Sequence, residues 1–238
     1  SRNDASTYAV GREVARQLKI LGINLHFGPA GSLMDSDHPN PESFSSDKNL
    51  VARKAVAYMQ GLQEQGIMAI AKGFPIQGIT IRETRKGELP SIQAYIDSVA
   101  IYPYRQLFMR GANGMLPASS EFPLFYEKKK NIKRNPYSPP LLTSIYAGEW
   151  VRKELNYDEL VFVSIPQIRA QTNAFADGEA ELLAFQAGND IILLPEEIGP
   201  SIRKIKLLIR KDIKYERQLD ASVRKILNAK YENNLFAP

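Results

Sequence analysis

The chain has 238 residues, no cysteine, and 31 Lys and Arg against 26 Asp and Glu, for a net charge of +5. The missing cysteines exclude disulfides, thiol catalysis and zinc–thiolate sites. Apolar runs stop at about strand length, so no transmembrane helix is expected. The length suits one large α/β domain, expected over 1–238. The opening Ser1-Arg2-Asn3-Asp4-Ala5-Ser6 has no apolar core and is not a signal peptide, a feature compatible with either cytoplasm or periplasm.

The positive charge is local. Residues 201–230 hold ten Lys and Arg against three acids, a surplus of +7 that leaves −2 for the remainder. A second basic knot is Lys128-Lys129-Lys130 with Lys133 and Arg134. Neither stretch is laced with aromatics for base stacking, so a solvated helix face is expected there rather than a nucleic-acid site.

In chain order, Val10, Val14, Leu18 and Leu21 recur at helical spacing behind a capping Asp4, predicting a helix over 4–21 closed by Gly22. Ile23 to Phe27 reads as a strand ending at Gly28-Pro29, followed by a polar loop. A helix over about 48–65 buries Val51, Ala55, Tyr58 or Met59, and Leu62, and Gly66 ends it. Ile67-Met68-Ala69-Ile70-Ala71 then runs without polar alternation, as a strand covered on both faces does, and ends on Lys72. In parallel α/β folds that carboxyl end is where ligands are handled. The loop 73–90 is long for such a connection.

Pro103 opens a helix through Arg110, and a weaker strand spans Ala112 to Leu116. After an irregular 117–139 come a helix over 140–155, strand Leu160–Ser164, a helix over 177–187, strand Asp190–Leu194 and two closing helices. The alternation predicts α/β with a parallel sheet: five strands, each preceded by a helix.

Several of these segments, in order, resemble the barrel domain of glycoside hydrolase family 3, the β-glucosidases and bacterial N-acetylglucosaminidases. Leu21-Gly22-Ile23-Asn24-Leu25-His26-Phe27-Gly28-Pro29 is similar to the stretch leading to the family's "NFAPVxD". Lys72-Gly73-Phe74-Pro75-Ile76-Gln77-Gly78 resembles "KHFPGHG", and Glu154 to Ser164 resembles "ELGFDGLVFSD". Ala187–Pro195 and Val223–Lys230 resemble its closing motifs. The resemblance implies a TIM-type (β/α) barrel, incomplete in this chain because the family's first two strands have no counterpart. It implies no cofactor and no metal, a glycan or peptidoglycan fragment as ligand, and a fused or associated catalytic domain as a partner worth checking. A bacterial periplasmic or secreted setting is favoured over the cytoplasm.

The same resemblance places the family's nucleophile, the aspartate ending "LVFSD", on Ser164, and the acid/base histidine with its aspartate on Arg85 and Glu83. A serine hydroxyl is not anionic at neutral pH, and arginine cannot exchange a proton. The substrate-gripping aspartate of "PVxD" falls on Ser32, the arginine of "RSFG" on Glu42, and the two histidines of "KHFPGHG" on Gly73 and Gln77. Lys72 alone is kept. The pattern predicts a barrel that retained its scaffold and lost its catalysis, with Lys72, Gln77 and Ser32 as remaining substrate-binding positions and no catalytic residue.

The competing reading is an active retaining glycosidase with relocated carboxylates, Glu83 and Glu42. A third makes 201–230 a surface for nucleic acid or another polyanion. Among residues singled out for other reasons, His26 is expected to flank the core, and His38 lies in the following loop. Trp150, beside Glu149, is expected to pack rather than stack on sugar. Asp35 and Asp37 are too sparse a pair to define a metal site.

Overall fold

A computed structural model describes residues 4–34, 41–75, 94–118, 145–169 and 175–236, with backbone only for 145–149. The chain divides into two compact units, residues 1–120 and 121–238. Both are α/β with parallel strands, the class expected.

In the first unit, helix α1 (Asp4–Ile20) leads to strand β1 (Leu25–Ala30), helix α2 (Lys48–Glu64) to β2 (Met68–Phe74), and helix α3 (Tyr102–Met109) to β3 (Gly114–Pro117). The strands pair in the order β1-β2-β3, all parallel. α2 starts where Asp47 accepts a hydrogen bond from the Leu50 amide at 2.7 Å, an N-cap that satisfies an otherwise orphaned donor. It buries Val51, Ala55 and Leu62, as expected from their spacing, and of Tyr58 and Met59 it buries Met59. α1 crosses α2 backbone against backbone at Gly11 and Gly61. A Cβ on Gly61 would stand 2.3 Å from the Tyr8 carbonyl oxygen, so glycine is required at that crossing.

Two strands run further than their sequence pattern indicates. β1 continues through Gly28-Pro29 to Ala30. Proline cannot donate to a ladder, and the β1–β2 register shifts between Phe27 and Ala30, which accommodates it. β2 likewise runs past Lys72 to Phe74, with Gly73 at φ +85° and a register shift between Lys72 and Phe74. Both Gly28–Pro29 and Phe74–Pro75 peptides are cis.

In the second unit, a π-helical stretch (Ile145–Glu154) precedes β4 (Leu160–Ser164), within the helix expected over 140–155. A short helix α4 (Ile165–Arg169) follows, then α5 (Glu179–Gln186), β5 (Ile191–Leu193), α6 (Ile198–Lys211) and α7 (Ile213–Glu232). β4 is buried along its whole length and pairs in parallel with β5. A buried clasp closes the amino ends of these strands. Asp190, 3% exposed, takes Arg152 at 2.5 Å, the Val161 amide at 2.9 Å and the Ser222 hydroxyl at 2.7 Å. One carboxylate thereby ties the π-helical stretch, β4 and α7 to the start of β5.

Candidate functional site

The carboxyl ends of β1 and β2 assemble a polar cluster in the first unit. Lys72 lies on β2 opposite Ala30 of β1, and its side chain is one-quarter exposed. Its ammonium donates to the Glu42 carboxylate at 2.6 Å. Ser32 is buried, and its carbonyl accepts from the Ser43 hydroxyl at 2.6 Å, which folds the segment after β1 back onto the one that carries Glu42. Tyr104 of α3 reaches across beneath them: its ring is fully buried and its hydroxyl donates to the Lys72 carbonyl at 3.1 Å. A Cβ at Gly31 would meet that ring at 2.7 Å, so glycine is needed for the strand end to seat on it. Burial raises the Tyr104 phenol far above its usual range, against smaller opposing effects of hydrogen bonds with Ser32 and Gly31, so the hydroxyl stays neutral.

His26 completes the cluster. Half-buried on β1, it lies 3.4 Å from the Tyr58 hydroxyl, its expected place flanking the core. Burial is the main cause that lowers its pKa below 6.5, the Lys72 ammonium lowers it further, and Glu42 opposes both. A depressed folded-state value means that the unfolded chain takes up the proton first. The stability this group contributes is therefore complete above pH 6.5 and is lost as pH falls towards and through the folded value. Thermal melts of wild type should fall through that window, and His26→Gln should flatten that part of the curve. An equally steep fall in the variant would assign the effect elsewhere.

In the second unit, Ser164 closes β4, buried at 9% exposure and paired in register with Leu193. Asp158 and Glu159, the two acids just before β4, stand at the opposite end of that strand from Ser164, and Asp158 is the one that meets a lysine. Its side chain is 88% exposed and it accepts from Lys225 at 2.7 Å, which holds its carboxyl below the usual carboxylate range. No register in β4 brings it to the position of Ser164. Beyond the end of β5, Glu196 pairs with Arg169 at 3.0 Å, and the Glu196 amide donates to buried Glu181 at 3.1 Å. Glu181, Glu196 and Arg169 did not stand out in the sequence. The acidic pair Glu196-Glu197 just past a strand was the one available signal.

Of the expected site residues, Lys72, Glu42 and Ser32 come together at one strand end. Arg85, Glu83 and Gln77 lie outside the described residues, as do Asp35, Asp37, His38 and the 128–134 basic knot. Trp150 is buried, which fits packing. Among the described residues there is no group of three or more His, Asp or Glu that could hold a metal, and no helix long and apolar enough to cross a membrane.

The polar cluster lies at the carboxyl ends of parallel strands, where α/β folds handle ligands. Comparison with known proteins makes the class specific. The family model described as glycosyl hydrolase family 3 N terminal domain matches residues 1–229. A β-hexosaminidase A of Pseudoalteromonas piscicida is 23% identical over 204 residues, covering 82% of this chain and 34% of that protein. A β-hexosaminidase of Neisseria meningitidis serogroup C is 25% identical over 193 residues, 78% of this chain and 50% of the relative. The solved family 3 β-N-acetylglucosaminidase from Paenibacillus sp. str. FPU-7 superposes with a TM-score of 0.78 at 24% identity, over 100% of this chain and 45% of its own. The chain belongs to glycoside hydrolase family 3, as a domain of the N-terminal, TIM-barrel-like type. Its described residues hold five strands, fewer than the eight of a closed barrel, and the chain spans half or less of the length of these relatives.

Proposed function

We propose that residues 1–238 are one family 3 domain whose cleft no longer performs retaining hydrolysis, and that it holds a glycan of the β-N-acetylhexosaminide class or supports a neighbouring catalytic domain. Retaining cleavage uses two carboxyl groups about 5 Å apart, one of them a nucleophile that bonds to the sugar. The observation that carries the proposal is Ser164 at the end of β4, with the nearest acids in sequence, Asp158 and Glu159, at the other end of the strand and Asp158 bound to Lys225 there. The Lys72–Glu42 pair supports it. The family's lysine is engaged by an acid of its own chain at a position where the resemblance expects arginine.

The same pair weighs against relocated catalysis. A carboxylate 2.6 Å from an ammonium has its charge largely committed and is a poorer nucleophile than a free one. Purified protein incubated with nitrophenyl β-N-acetylglucosaminide and β-glucoside should release nitrophenol no faster than buffer does. Turnover that disappears in Glu42→Gln or Lys72→Ala would overturn the proposal in favour of an active glycosidase.

A further inference from the structure

Helix α6 bears five cations (Arg203, Lys204, Lys206, Arg210 and Lys211) and no acid within Ile198–Lys211. Some cations elsewhere find partners, as Arg12 does in Glu64, Lys54 in Asp4 and Lys225 in Asp158, but α6 is distinct in carrying five with no acid on the same helix. None of the five on α6 makes an ion pair or side-chain hydrogen bond with a described residue. Lys206 and Arg210 stand four apart and Arg203 and Lys206 three apart, spacings at which like charges destabilise a helix. Only Arg210 and Lys211 sit in the last turn, where the helix dipole favours them. Like charges at these spacings weaken a helix slightly, a cost that an anion facing them would offset.

Beside the cations lies apolar surface open to solvent. Ile198 is 60% and Ile202 47% exposed, and they continue a row into half-buried Ile205 and Ile209. At 3.6 residues per turn that row spans an arc of about 60°, and Lys206, Arg210 and Arg203 fill the next arc of about 60°. Ser201 and Leu208 turn inward on the other side, Ser201 being 5% exposed. The helix thus presents an apolar edge and a cationic edge side by side on its outer face.

We propose that α6 docks this chain on an anionic phospholipid bilayer, lying flat in the interface. Ile198 and Ile202 enter the boundary between headgroups and acyl chains, and Arg203, Lys206 and Arg210 meet lipid phosphates. The exposed isoleucines select this occupant over a nucleic acid: a phosphate backbone would use the cations and leave the apolar edge in water. Two isoleucines alone bind a bilayer marginally, and the cations alone bind any polyanion. Together they supply the two signals that surface anchoring needs.

Sedimentation of the full chain with vesicles tests this. Phosphatidylcholine vesicles containing about one-third phosphatidylglycerol should carry the protein down at low salt, in the range of surface charge that attracts basic segments. Pure phosphatidylcholine should not. Arg203→Glu/Lys206→Glu/Arg210→Glu should weaken partitioning roughly 100-fold, and Ile198→Ser/Ile202→Ser about tenfold. All five positions are solvent-exposed, and unchanged thermal midpoints would show that both variants fold. The proposal is overturned by no binding to anionic vesicles, by equal binding to both compositions, or by a charge variant that binds as wild type does. Tighter binding of duplex DNA than of anionic vesicles would also overturn it.

Discussion

Replacing Asp190 by alanine should destabilise the protein by about 3–5 kcal/mol, the cost of leaving one member of a buried ion pair without its counter-charge. The loss has three parts. Arg152, 17% exposed, keeps its charge with the paired carboxylate removed. The Val161 amide loses its acceptor at the very start of β4, and the Ser222 hydroxyl loses its own on α7. Because these partners come from separate elements, no local rearrangement can satisfy them all. Asp190→Asn keeps the size and one acceptor oxygen and should recover part of the loss. Urea denaturation of the three proteins measures this. A loss below 1 kcal/mol for the alanine variant would mean that the clasp is not holding the elements together.

Tyr104→Ala should cost a similar amount, about 3–5 kcal/mol, as for other buried aromatic truncations. The ring is fully buried, packs edge-on against Phe74 at 5.1 Å between centroids, and lies directly under Gly31. Tyr104→Phe keeps the ring and removes the hydroxyl's hydrogen bonds, to the Lys72 carbonyl and with Ser32 and Gly31, and should cost about 1–2 kcal/mol. The two variants also separate packing from positioning. The phenylalanine form should leave the Lys72–Glu42 pair in place, whereas the alanine form takes away the floor on which both strand ends rest. Denaturation midpoints of the two variants that coincide would count against the ring as the main support.

The strands were legible because burial on both faces leaves an uninterrupted apolar run, as in Leu160-Val161-Phe162-Val163, and because glycine ends the helices before β1, β2, β3 and β5, where β4 has Asn156 at φ +49° instead. Their exact ends were not. Hydrophobic pattern says nothing about a ladder that skips a register step, which is how β1 passes Pro29 and β2 passes Gly73. Helix α4, five residues long, is too short to show a period. At the site, Ser164 was readable from its place at the end of β4, since a strand fixes which residue arrives last, whereas Lys72 stands two residues short of the end of β2. The pairing of Lys72 with Glu42 was not, because the two are 30 residues apart and a long polar segment lies between. Only the acid standing where the family's motif has arginine hinted at it. The Asp190 clasp was hidden for the same reason, with partners 29 to 38 residues away.

That β4 ends on a hydroxyl and not an anion can be tested without the acid/base step. A dinitrophenyl β-N-acetylglucosaminide carrying a ring fluorine has a leaving group that departs with little protonation, so the nucleophile alone decides whether a glycosyl-enzyme forms. Intact-protein mass spectrometry after prolonged incubation should show the unmodified mass of the chain. A stoichiometric gain of one fluorosugar, mapped by proteolysis to a carboxylate of this chain, would contradict the account.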